Sequence, residues 1–170
     1  KLNFGDPADE NTNISCLVSE AAAKQVEAQV AIVVQQGGRV VCGGKRNGAF
    51  YEPTLIVDVP KTSDVAMDME IFGPVIPIIG FDSIEEAIEI ANSSKYGLGG
   101  CIFTSNMKTA MKVSTELECG MVVINGSSCY RSFEMPFGGH KYSGIGSEGV
   151  LSTYNEVTQL KTIVMKNIVD

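Results

Sequence analysis

A chain of 170 residues, 44% hydrophobic and 19% charged, has enough apolar material to bury a real core and is expected to form one globular domain over residues 1–170. A formal net charge of −7 and a pI near 4.7 argue against a nucleic-acid backbone or an anionic membrane surface as partner. The longest apolar stretch, residues 71–81, is broken by Gly73, Pro74, Pro77 and Gly80 and falls far short of the roughly 20 residues that span a bilayer, so no membrane segment is expected.

The opening Lys1-Leu2-Asn3-Phe4-Gly5-Asp6-Pro7 has neither an initiator Met nor the regions of a signal peptide, so the chain is expected to begin inside a longer protein. Residues 18–36 predict an amphipathic helix, rich in Ala, Glu, Gln and Lys and stopped by Gly37-Gly38. Residues 39–42 predict a short strand; Gly43-Gly44 and Asn47-Gly48 are turn chemistry, and residues 51–57 carry the β-branched content of an extended segment. The apolar run 75–81 predicts a strand buried on both faces, followed by a helix over 83–92 that Asp82 or Ser83 can cap. A strand over 100–103, a helix over 107–117 and a strand over 120–125 complete an alternation that predicts an α/β fold, a parallel sheet core with flanking helices. Beyond Asn125 the chain turns glycine-rich, through Gly126, Gly138, Gly139, Gly144 and Gly146, and a loop leaving the C-terminal end of a parallel strand is where such folds hold ligands. Residues 154–167 alternate around Val157, Leu160, Thr162, Val164 and Lys166 and predict a terminal strand free to pair with another subunit.

Five cysteines, an odd number with no CxxC spacing, point away from a zinc site or a disulfide framework and toward a reducing compartment, the cytoplasm. With His140 the single histidine, no metal cluster built on two histidines is expected.

Specific chemistry enters at Met69-Glu70-Ile71-Phe72-Gly73-Pro74-Val75. That segment resembles the "E-I-F-G-P-V" run of the aldehyde dehydrogenase superfamily. Other resemblances fall in the family's order: Gly5-Asp6-Pro7 with Asp9 and Thr12; Gly43-Gly44 with Tyr51-Glu52-Pro53-Thr54; Glu86-Ala87-Ile88; Ala91-Asn92; and Tyr96-Gly97-Leu98. Further on come Phe103-Thr104, Gly120, Val123-Ile124-Asn125, Pro136-Phe137-Gly138-Gly139-His140-Lys141, Ser143-Gly144, Gly146 and Lys161-Thr162. The chain is thereby identified as resembling the C-terminal part of that family's catalytic domain. The surroundings of Met135 and of Glu148-Gly149-Val150 resemble most the semialdehyde, lactaldehyde and phosphonoacetaldehyde types.

The resemblance implies NAD or NADP as cofactor and a small aldehyde as substrate. It implies that Glu70 holds the nicotinamide ribose, a role that suits a carboxylate able to accept two hydroxyl hydrogen bonds, and that Phe72 packs beside the nicotinamide. The alternatives are a plain surface charge for Glu70 and a core aromatic for Phe72. Residues 125–137 resemble the loop lining the aldehyde tunnel, with Phe137 facing it. Ser127 belongs to this loop, Tyr130 and Phe133 offer an apolar wall, and Arg131 offers a planar fork for an anionic substrate tail; the alternatives are packing under the loop for the aromatics and a solvated charge for Arg131. Cys129 is rejected as the nucleophile, because the family's catalytic cysteine and general-base glutamate both lie upstream of the "GDP" run. No catalytic residue is therefore expected in this chain.

The family also implies a dimer or tetramer joined through the terminal segment. Two departures stand out: Ser15-Cys16 replaces a common Gly, and Ser147 replaces a common Arg in "SG.GRE", which loosens an ion pair near the C-terminal segment. Two further readings stay open: an inactive fragment serving as an interaction module, and a reductase of acyl phosphates or acyl thioesters.

Overall fold

A computed structural model describes residues 2–167. Two compact units follow one another along the chain, Lys1–Lys95 and Tyr96–Asp170.

The first unit is built around α1 (Glu20–Gln35). Ser19 caps it, its Oγ accepting the Ala22 N–H at 3.1 Å, which satisfies one of the N–H groups that a helix start leaves without a partner. Ala23, Val26, Val30 and Val33 recur on one face and are buried, and Gly37, at φ +117°, ends the helix in a conformation that only glycine takes freely. β1 (Arg39–Cys42) follows, then a hairpin of β2 (Arg46–Asn47) and β3 (Phe50–Tyr51), then β4 (Thr54–Val57). β4 lies between β1, antiparallel to it, and β5 (Val75–Pro77), parallel to it with Thr54 opposite Val75. The short α2 (Asp64–Met67) separates β4 from β5, and α3 (Ile84–Asn92) ends the unit. α3 is capped by Ser83, not Asp82: the Ser83 Oγ accepts the Glu86 N–H at 3.1 Å, and the Glu86 carboxylate reaches back to the Asp82 N–H at 2.7 Å, a variant of the reciprocal capping box.

The core of this unit joins Val26, Val30 and Val33 of α1 to Tyr51, Ile56 and Val59. Each such apolar side chain, removed from water, contributes roughly 1.5–3 kcal/mol before the entropy of ordering is subtracted.

The second unit opens with β6 (Tyr96–Gly97) and β7 (Gly99–Ile102), continues through α4 (Met107–Glu116) to β8 (Met121–Ile124), and closes with β9 (His140–Lys141) and α5 (Val150–Val157). β7 and β8 are parallel, Gly99 opposite Met121 through Ile102 opposite Ile124. With α4 as the crossover they form the expected strand–helix–strand unit. β6 and β9 pair antiparallel.

Two expectations are corrected. The run 75–81 is not a strand buried on both faces: β5 is the edge of its sheet, Ile76, Ile78 and Phe81 are exposed, and Val75 and Ile79 pack on the core. Alternating burial leaves one face of the run uncovered among the described residues, and Pro77 offers no N–H on the side away from β4, while pairing with β4 continues past it through the Ile78 N–H donated to the Ile56 carbonyl at 2.8 Å. The predicted strand over 154–167 does not begin at 154. Residues 154–157 complete α5, and residues 158–167 form no ladder, since a strand needs a second strand to satisfy its backbone and no described segment supplies one. Among the described residues no helix is long and apolar enough to cross a membrane.

Candidate functional site

In the first unit, Glu70 and Phe72 sit on a short irregular segment that is anchored from both sides. Before it, the Met69 N–H donates to the Asp64 carbonyl at 2.8 Å, and the Asp68 carboxylate accepts the Lys95 N–H at 2.9 Å. That backbone bond is the main reason the Asp68 carboxyl lies below the usual aspartate range. Behind the segment, Gln29 Nε2 donates to the Glu70 carbonyl at 2.9 Å, and the Thr54 N–H donates to the Pro74 carbonyl at 2.8 Å. Gly73 lies hard against α1: a Cβ there would stand 2.8 Å from Val26 Cγ2.

Burial alternates over residues 70–72, and the Gly73 N–H donates to the Ile71 carbonyl at 2.9 Å in a tight turn at Phe72. Ile71 packs onto the core, and Glu70 and Phe72 face outward. Phe72 is 76% exposed, hence no core aromatic of its unit, and among the described residues no side chain bonds the Glu70 carboxylate. An unengaged carboxylate two residues from a bare aromatic ring, both on pinned backbone, fits the ribose and the flat ring of a nicotinamide. A carboxylate accepts from two hydroxyls, and the exposed ring offers apolar surface to a planar group.

In the second unit the parallel strands end in a clamp. The Asn125 N–H donates to the Ile102 carbonyl at 2.7 Å; its Oδ1 accepts the Thr104 N–H at 2.8 Å and its Nδ2 donates to the Thr104 carbonyl at 2.9 Å. Asn125 holds φ +56° to do so, a conformation asparagine tolerates better than most residues. The following loop leaves from this clamp. Ser127 begins a tight turn there, its Oγ accepting the Cys129 N–H at 3.1 Å and its carbonyl the Tyr130 N–H at 3.0 Å. Tyr130 and Phe133 are exposed, 59% and 92%, so neither packs under the loop.

Arg131 and Phe137 come together. The Arg131 Cζ lies 4.1 Å from the centre of the Phe137 ring, a cation–π contact, and its Nη2 is 3.3 Å from Glu148 Oε2. Arg131 is therefore not a solvated charge without a partner. Phe137 and Glu148 exchange backbone bonds of 2.7 Å in both directions. Their close pairing needs Gly138, where a Cβ would stand 2.4 Å from the Gly146 carbonyl oxygen. Phe137 and Glu148, with Ser143, Thr153 and Glu156, line a cavity of about 230 Å³. Another cavity, about 970 Å³ between Phe4, Phe50, Arg46 and Pro53 of the first unit, contains none of the expected site residues.

Cys129 is exposed, and among the described residues no base or cation bonds its thiol. Cys119 is held by burial above the usual cysteine range and donates its S–H to the Met121 carbonyl at 3.2 Å, which leaves it protonated and inert at neutral pH. Among the described residues no group of three or more metal-ligating side chains exists. Glu148 and Asn125 went unremarked as site residues at the level of sequence. Their signal lay inside the "SG.G.E" and "VIN" runs, but the partner that gives each its meaning is remote or a backbone atom.

The pattern of the aldehyde dehydrogenase family matches residues 1–163. A lactaldehyde dehydrogenase of Methanococcus maripaludis is 41% identical over 169 residues, covering 99% of this chain and 36% of that protein. Among solved structures, a glyceraldehyde-3-phosphate dehydrogenase of Methanocaldococcus jannaschii, complexed with NADP, superposes with a TM-score of 0.90 at 44% identity, covering 95% of this chain and 35% of its own. An aldehyde dehydrogenase of Mycobacterium tuberculosis, complexed with NAD+, superposes at 0.88 and 38% identity, covering 97% and 35%. The chain thus spans about a third of the length of the relatives it matches. With the motifs in order along 163 residues and the same backbone at 38–44% identity, the chain belongs to the aldehyde dehydrogenase family.

Proposed function

We propose that this chain is part of the catalytic domain of an NAD(P)-dependent aldehyde dehydrogenase that oxidises a short aldehyde to its carboxylic acid, of the lactaldehyde type. The observation that carries this reading is the outward pair Glu70 and Phe72, exposed on a backbone pinned by Gln29, Asp64 and Lys95. Glu70 binds the ribose hydroxyls, and Phe72 backs the nicotinamide ring and keeps water from it. The nicotinamide, when bound, supplies the hydride acceptor. The nucleophilic cysteine and the general base lie in the upstream part of the protein; no residue here takes those roles. Phe137, Tyr130, Arg131 and Ser127 line the path of the substrate, with Arg131 meeting the polar end remote from the aldehyde. The net reaction is balanced: aldehyde, water and NAD(P)+ give acid, NAD(P)H and a proton. The two units belong to one catalytic domain, working in the cytoplasm, where five free thiols stay reduced.

A second role is favoured by α5. Val150, Leu151, Tyr154 and Val157 are all more than 60% exposed, and at this spacing they form one apolar stripe. We assign this stripe, with residues 158–167, to contacts between subunits of a dimer or tetramer, the role expected of the terminal segment.

The test uses the full-length protein: absorbance of reduced nicotinamide is followed with lactaldehyde and either NAD+ or NADP+. Oxidation that depends on one of the cofactors, with a raised cofactor KM in Glu70→Ala, supports the reading. No oxidation with either cofactor, or an unchanged cofactor KM in the variant, overturns it.

A further inference from the structure

The second unit holds an arrangement that aldehyde oxidation does not by itself require. Phe137 and Glu148 face each other as a hydrogen-bonded antiparallel pair, 2.7 Å in each direction, so their side chains leave the same face of the pairing. Arg131 lies across that face, over the ring at 4.1 Å and beside the carboxylate at 3.3 Å. Its guanidinium is therefore partly neutralised before any ligand arrives. The contact joins one nitrogen to one oxygen, and the bidentate fork that makes such pairs strong is not formed. With side chains 44% and 76% accessible, the pair is also well solvated, and an exposed pair of this kind is weak enough for a competing anion to break it.

We infer that Glu148 is a specificity-determining residue: an internal carboxylate that occupies Arg131 and so tilts the site toward neutral hydroxyaldehydes and away from aldehydes with an anionic tail. This rests on the aldehyde-oxidising reading above. An anionic tail must draw Arg131 away from Glu148 and then remain near the displaced carboxylate, a like charge. A hydroxyl meets a pair with no net charge and accepts from guanidinium N–H groups that Glu148 leaves free. The two penalties on the anion, a weak pair broken and a like charge about 5 Å away in a watery medium, together amount to about five- to tenfold in relative preference.

The experiment measures kcat/KM of the full-length protein for lactaldehyde and for succinic semialdehyde, in the wild type, Glu148→Gln, Arg131→Gln and the double variant. Glu148→Gln is expected to raise the ratio of anionic to neutral substrate about five- to tenfold, mainly through KM. In the Arg131→Gln background the same change moves the ratio less than twofold, since no guanidinium remains to be released. A ratio in Glu148→Gln within twofold of wild type, or an equal rise with and without Arg131, overturns the inference. Where a variant or the wild type does not turn over, calorimetric binding of succinate against butyrate to the same four proteins gives the corresponding ratio under the same criteria. Absence of turnover in the wild type counts against the proposed reaction, whereas the calorimetric ratio still decides the competition for Arg131.

Discussion

Gly138→Ala places a methyl group where the structure has no room for one. The new Cβ would stand 2.4 Å from the Gly146 carbonyl oxygen and 2.8 Å from Ser147 Oγ, against the 3.4 Å at which ordinary contact begins. Residues 146–147 must retreat by about 1 Å, and the adjoining Phe137–Glu148 bonds, now 2.7 Å each, stretch beyond hydrogen-bonding range. Losing two such bonds at about 1 kcal/mol each, with another ~1–3 kcal/mol of overpacking, destabilises the second unit by about 3–5 kcal/mol. Two glycines serve as controls. Gly80 has nothing within 4 Å of its would-be Cβ and no positive φ, so Gly80→Ala should stay within about 0.5 kcal/mol of wild type. Gly48 has open space but φ +59°, so Gly48→Ala should cost about 1 kcal/mol from backbone strain alone. Urea denaturation of the full-length protein, followed by tryptic susceptibility of residues 96–167, ranks the three. A Gly138→Ala protein as stable as Gly80→Ala would refute the argument that close approach of backbone, rather than glycine's flexibility, sets this position.

Glu70→Ala is expected to raise the cofactor KM about tenfold, equivalent to about 1.4 kcal/mol and at the lower edge of hydrogen bonds to a charged group, with little change in aldehyde KM; steady-state kinetics at saturating aldehyde checks it. Ile56→Ala removes a fully buried side chain packed among Val26, Val30, Val33 and Tyr51 and should cost about 2–5 kcal/mol in a denaturant titration. Acid should weaken the start of α3. The Lys61 ammonium bonded to Glu86, and next the Asp82 N–H, hold the Glu86 carboxyl below the usual glutamate range. A lowered folded pKa means stability that is complete above the unfolded value, about 4.3, and is lost as pH falls from there through the folded value. Glu86→Gln should therefore flatten the fall in melting temperature between neutral pH and pH ~3 relative to wild type, and an equally steep fall in both proteins would exclude this group as a cause.

How much was legible beforehand depended on the range of the interaction. α1, α3 and α4 appear within a residue or two of their predicted ends, because helix bonds reach only four residues and the caps Ser19, Ser83 and Asn106 sit next to the N–H groups they satisfy. The 75–81 run was misread for the opposite reason. Continuous hydrophobicity says that a strand exists, but whether it is central or at an edge depends on which remote strands flank it, and among the described residues β5 is flanked by β4 alone. Residues 154–157 fit alternation and helical periodicity about equally over so short a window, and with no strand among the described residues to pair with, the local helix bonds won. Glu70, Phe72 and Phe137 were reachable through ordered motifs. The engagement of Arg131 was not, since its carboxylate partner lies 17 residues further on.

The amino-acid order alone determined family membership, the helices and their caps, the α/β class and the identity of the residues proposed to meet cofactor and substrate, because each of these is written in local spacing or in motifs that survive as strings. Only the tertiary structure decided that Ile71 turns inward so that Glu70 and Phe72 face out, that Asn125 clamps the ends of β7 and β8, and that Arg131, Phe137 and Glu148 share one face. The physical reason is common to all three: each depends on which distant backbone comes close enough to pack or to bond, and that is settled by glycine-permitted approach and strand pairing rather than by any neighbour in the chain.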